Sequence, residues 1–138
     1  MIKLVASDLD GTLLMKGAQS LPEDLFPLIR QLKELGILFV AASGRQYANM
    51  KKMFAPVADD MAFICENGAL CLYGGEVIGV IPIPEDMARE IIADIEAAGM
   101  NLLISGRHTT YMLDRNRRYT DDIVYRLRNT VTIVDRPD

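Results

Sequence analysis

The chain has 138 residues, half of them hydrophobic and a quarter charged, with 15 Lys and Arg against 19 Asp and Glu for a net charge of −4. This is ordinary globular composition, at a length typical of one compact domain, and it excludes disordered and fibrous classes. An acidic chain with pI near 5.0 argues against a nucleic-acid binder, which normally shows a basic face, and no apolar run reaches the roughly 20 residues that span a bilayer. No secretory signal pattern opens the chain. The two cysteines, Cys65 and Cys71, sit in apolar surroundings without CxxC or Cys/His spacing. They read as buried, reduced thiols of a cytoplasmic protein.

Ile2 to Ser7 is a nearly continuous apolar run ended by Asp8, the pattern of a strand buried on both faces of a parallel sheet. A loop with Gly11, Gly17 and Ser20 follows. Ser20 and Glu23 can form a capping box around Pro22, and Leu21, Leu25, Leu28, Ile29, Leu32 and Leu35 recur at helical spacing up to Gly36. Pro27 fits if Asp24 caps this helix and not if it begins at Leu21; both starts remain open. Ile37 to Ala42 is a second buried-strand run, ending in Ser43-Gly44-Arg45. A short helix over Gln46 to Phe54, with Met50 and Met53 facing the core, leads to a third strand, Met61 to Cys65. Strand and helix alternating in this way predict a Rossmann-like α/β fold with right-handed crossovers. The Asn67-Gly68 and Gly74-Gly75 turns bracket a hairpin of Ala69–Tyr73 and Glu76–Ile81.

Pro82-Ile83-Pro84 marks a boundary, giving domains 1–82 and 83–138. Beyond it, Met87, Ile91, Ile92, Ile95 and Ala98 mark one face of a helix closed by Gly99. Asn101–Ser105 and Thr109–Leu113 pair around Gly106, a helix carries Ile123, Val124 and Leu127, and Thr130–Val134 is strand-like.

The chemistry concentrates in Asp8-Leu9-Asp10-Gly11-Thr12-Leu13-Leu14, just past the first strand. Open parallel sheets bind ligands at the carboxyl ends of their strands. Two carboxylates placed there must be solvated, paired or metal-bound. Gly11 permits a tight turn whose successive N–H groups can form an anion nest, and Thr12 adds a hydroxyl. Acids for a hard cation beside donors for an anion suit a magnesium-assisted phosphate site. Read alone, Ser43 serves equally well as a helix cap, and Arg45 as an ion-paired helix residue. His108 reads as an exposed turn residue. Arg115, Arg117 and Arg118 read as a solvated face, with recognition of an anionic substrate the minority alternative.

The Asp8–Leu14 run resembles the first signature of the haloacid dehalogenase superfamily, and Gly36–Arg45 resembles its second. The Ser-Gly-Arg form, with Glu66-Asn67-Gly68-Ala69 after the third strand, is similar to the Cof-type phosphatases, many of which hydrolyse sugar phosphates. The resemblance covers the whole chain and implies an incomplete core followed by the beginning of an α/β cap. It implies that Asp8 is the nucleophile and forms an aspartyl-phosphate, and that Asp10 is the acid and base. It also implies magnesium on the Asp8 carboxylate and the Asp10 carbonyl. Leu9, Gly11, Thr12, Ser43, Gly44, Arg45 and Asn67 are then implied to contact or position the phosphate. The substrate implied is a small phosphorylated metabolite.

The family's later signatures, a downstream Lys and an acidic Gly-Asp-x-x-x-Asp run, have no match here: Lys52 is the last Lys, and neither Asp59-Asp60 nor Asp121-Asp122 fits. The chain therefore resembles an N-terminal part, whose first strand would be an apolar edge open to self-association. Two further readings stand beside the phosphatase. One is a fragment or module that binds magnesium or phosphate and needs a partner; the other is a phosphotransferase or mutase. A phosphate-accepting receiver domain fits less well, because of Thr12 and the block after Pro84.

Overall fold

The first three apolar runs form parallel strands β1 (Leu4–Asp8), β2 (Leu38–Ala42) and β3 (Ala62–Cys65), joined through helices α1 (Leu25–Glu34) and α2 (Tyr47–Met53). The structure, a computed structural model, describes residues 1–15, 18 and 20–137; Gly17 of the first loop lies outside them. The chain divides into two compact units, Met1–Ile81 and Pro82–Asp138. In the first, β3 turns through Asn67-Gly68 into an antiparallel hairpin, β4 (Leu70–Tyr73) and β5 (Glu76–Val80), completing a sheet of order β1-β2-β3-β4-β5. Gly74 and Gly75, at φ of 58° and 81°, supply the two left-handed positions a tight hairpin turn requires.

Register decides which side chains are buried. Ser7, Ala41 and Phe63 align across three strands, and Val5 aligns with Phe39 across two. This odd-numbered face packs against Ile29 of α1 and Met50 of α2, with Phe54 and Val57 just beyond. The Phe54 ring lies 6.4 Å from Phe39 and 6.0 Å from Phe63, and Tyr47 meets Phe63 edge-on at 5.4 Å. Full burial of Phe54 contributes about 2–3 kcal/mol in transfer terms.

The expected burial of β1 on both faces does not hold. Leu4 is 53% exposed and Ala6 is exposed, whereas Val5 and Ser7 are half-buried. β1 is an edge strand, and within this unit α1 and α2 both pack on the opposite, odd-numbered face. The capping box at Ser20 also does not start α1: the helix begins after Asp24, which makes no side-chain cap bond, and Pro27 falls in the first turn. There its missing N–H costs no helical hydrogen bond. Leu28 and Leu35 lie on the solvent side of the predicted stripe.

The second unit contains α3 (Glu85–Ala97), β6 (Leu103–Ser105), β7 (Thr110–Met112), α4 (Arg117–Asp121) and β8 (Val131–Ile133). β7 is central, antiparallel to β6 and parallel to β8. The Asn116 side chain caps α4 by accepting from the Tyr119 N–H at 3.2 Å. The predicted helix around Ile123 is a π-helical turn, Asp122–Arg126, continuing from α4. Its buried anchor is Ile123; Met87 and Ile91 of α3 remain exposed. Among the described residues, no helix is long and apolar enough to cross a membrane.

Candidate active site

Asp8 is the last residue of β1 and stands opposite Ala42, so Ser43 follows on the adjoining strand end. Between Leu9 and Leu14 the chain closes a tight loop. The Thr12 and Leu14 N–H groups donate to the Leu9 carbonyl at 3.1 and 2.7 Å, and the Gly11 N–H donates to the Leu14 carbonyl at 2.9 Å. Leu9 and Leu14 are buried, which pins the loop to the core while Asp8, Asp10 and Thr12 remain exposed. Gly11, at φ 89°, takes a conformation that side chains resist. The expected anion nest is largely closed on itself, since the Gly11, Thr12 and Leu14 amides already have acceptors within the loop.

The second motif is held by β3 and the turn after it. The Ser43 N–H donates to the Ile64 carbonyl at 2.9 Å, the Asn67 N–H to the Ser43 carbonyl at 3.3 Å, and the Glu66 N–H to the Arg45 carbonyl at 3.1 Å. Glu66 and Asn67 accept left-handed backbone, φ 50° and 55°, to make these bonds, a costly conformation away from glycine. The Asn67 side chain lies over Gly44, where an added Cβ would stand 2.7 Å from its Oδ1. Ser43 does not cap α2, whose N-cap is Gln46. Instead its Oγ accepts the Arg45 N–H at 3.2 Å.

The two motifs meet through one ion pair. Arg45 grips Asp10 with both arms of its fork, Nη2 to Oδ1 at 2.7 Å and Nε to Oδ2 at 2.9 Å. Hydrogen bonding to Arg45 holds the Asp10 carboxyl below its ordinary value, partly opposed by burial, and raises the guanidinium in turn. Arg45 also reaches the Oδ1 of buried Asn49 at 3.4 Å. The motifs do not point to Asn49; the only signal is its place four residues after Arg45, at the start of the helix.

Other candidates lie elsewhere. Asp60 precedes β3, at the opposite end of the strands from Asp8, and pairs with Lys33. Arg115 pairs with Glu96, and Arg117 with Asp114 and Asp121, so two of the three clustered arginines are held by carboxylates. His108 is exposed. Cys65 faces Leu70 across β3 and β4 while Cys71 faces Ile64, so the two thiols point to opposite sides of the sheet. Among the described residues, no three His, Cys, Asp or Glu side chains gather as a metal cage.

Residues 5–136 match the family model of the haloacid dehalogenase-like hydrolases. The chain belongs to this family. It is 29% identical over 121 residues to a 5-amino-6-(5-phospho-D-ribitylamino)uracil phosphatase of Escherichia coli K12, covering 87% of this chain and 44% of that protein. A crystal structure from Eubacterium rectale superposes with a TM-score of 0.87 at 24% identity, over 99% of this chain and 52% of that one. A haloacid dehalogenase-like hydrolase of B. subtilis gives 0.74 at 26% identity, over 92% and 45%. The chain thus spans about half the length of the haloacid dehalogenase relatives it matches, and shares their α/β fold over nearly all of its own.

Proposed function

We propose that this chain carries the nucleophile half of a magnesium-dependent phosphomonoesterase acting on a small phosphorylated metabolite. The observation that supports this most is the convergence of Asp8, Asp10 and Ser43-Gly44-Arg45 at the carboxyl ends of β1 and β2. Family membership and the resemblance to a phosphatase whose substrate bears a phosphorylated ribityl chain point the same way.

In this reading the Asp8 carboxylate attacks phosphorus, the bond to the leaving oxygen breaks, and Asp10 gives that oxygen its proton. Asp10 then takes a proton from water as it attacks the aspartyl-phosphate, releasing phosphate and restoring Asp8. Thr12 and Ser43 hydroxyls donate to phosphoryl oxygens, and Asn67 and Gly44 hold the Ser43 loop in place. Magnesium commonly keeps several waters and takes only one or two carboxylates, which the Asp8 carboxylate and the Asp10 main-chain carbonyl suit. When bound, it would offset repulsion between Asp8 and the phosphate.

A second reading is a phosphate-binding module that needs a partner for turnover. It draws on the Asp10–Arg45 pair, which engages the proposed acid. Hydrolysis of p-nitrophenyl phosphate by the purified chain separates the two. The phosphatase reading expects turnover that needs magnesium and falls about a thousandfold or more in Asp8→Asn. Equal background rates in both proteins would leave the module reading.

A further inference from the structure

Both oxygens of the Asp10 carboxylate accept from the Arg45 fork, so Arg45 sets the orientation of the group that is to serve the leaving oxygen. Under the phosphatase reading, on which this inference rests, releasing that pair lets Asp10 turn toward the leaving oxygen. The main chain of Arg45 is fixed, because its N–H donates to Ser43 Oγ and its carbonyl accepts from Glu66. The far end is less constrained: the contact to Asn49 is long at 3.4 Å, and the ion pair is open to solvent, with Asp10 57% exposed. Exposed pairs of this kind are weak and readily exchanged. A phosphate offers the same fork a doubly charged partner with matching geometry, and the proposed phosphate donor Ser43 lies two residues away.

We propose that Arg45 is a two-position latch, holding Asp10 while the site is empty and transferring to the phosphoryl oxygens when a phosphate binds, which frees Asp10. Asp10 and phosphate therefore compete for one guanidinium. Removing Asp10 strengthens phosphate binding partly by relieving repulsion, and partly by releasing Arg45. Only the second part depends on Arg45.

Binding of inorganic phosphate to the full chain, followed by NMR of the arginine Nε–Hε groups, tests this. In the unaltered protein the Arg45 resonance should move as phosphate saturates. Asp10→Asn should tighten binding, and the same replacement made with Arg45→Gln should tighten it less, by about twofold or more. Equal tightening in both backgrounds, or an unmoved Arg45 resonance at saturation, overturns the latch and leaves the phosphate site standing. Failure of all four proteins to bind phosphate overturns the latch together with the function proposed above.

Discussion

Replacing Gly44 by Ala puts a methyl group where the structure has placed Asn67. The new Cβ would lie 2.7 Å from Asn67 Oδ1, 3.2 Å from Nδ2 and 3.3 Å from Cγ. Asn67 has little room to retreat, since its side chain is short, its φ is 55°, and its N–H is bonded to the Ser43 carbonyl. Forcing the side chain off its rotamer costs about 0.5–1.5 kcal/mol, and loss of one loop hydrogen bond adds a similar amount. Together they amount to about 1–3 kcal/mol, the usual range for overpacking. For a unit of this size each kcal/mol lowers the melting temperature by about 4–8 °C. Asn67→Gly removes the obstacle and suits the left-handed backbone, so Gly44→Ala made in that background should regain most of the loss. Thermal melts by circular dichroism on the four proteins measure the coupling. A Gly44→Ala protein that melts with the parent, or a Gly44→Ala loss that is as large in the Asn67→Gly background as in the parent, would refute the contact.

Two further outcomes follow from charge and burial. Arg45 lowers the Asp10 carboxyl on folding, so its contribution is present above the ordinary Asp value near 3.9 and lost as pH falls through the lowered one. Arg45→Gln should shift the Asp10 carboxyl titration, followed by NMR, back up toward that ordinary value. The stability at stake is under about 1 kcal/mol, because the pair is exposed; an unmoved midpoint contradicts the assignment. Burial pushes the Cys65 thiol up to about 12, whereas Cys71 is half-buried. Iodoacetamide at pH 8 should therefore alkylate Cys71 first in the native protein, and labelling of Cys65 ahead of it by mass spectrometry would contradict the burial.

Much of the fold is legible because the strands are short apolar runs punctuated by glycine pairs and polar ends. The same signal misleads at β1. An apolar run from Ile2 to Ser7 reads alike whether or not a neighbour covers each face; the edge position expected from the family resemblance, and not the run itself, accords with the exposed Leu4. The start of α1 remains ambiguous in sequence because Ser20 and Asp24 are both competent caps; Pro27 fits only the later one, which the chain adopts. At the site, Asp8, Asp10 and Ser43-Gly44-Arg45 are recognisable as motifs, but the bond between Asp10 and Arg45 spans 35 positions and no local pattern encodes it. The left-handed Glu66 is equally hidden, since glutamate carries no preference for that backbone, whereas the neighbouring Asn67-Gly68 reads as a turn.

The strand order of the first unit, β1 through β5 without interruption, bears on how the protein is made. Among the described residues each strand pairs with its neighbours in the chain, so each of these pairings becomes available as soon as the next strand leaves the ribosome. Synthesis at about 5–20 residues per second leaves from tenths of a second to seconds between strands, against microseconds for a hairpin or a helix to form. Asp8, Ser43, Arg45 and Asn67 all precede Ile81, the end of that unit. The loops that carry these residues can thus take shape during translation, while the ribosome is still adding the residues that follow.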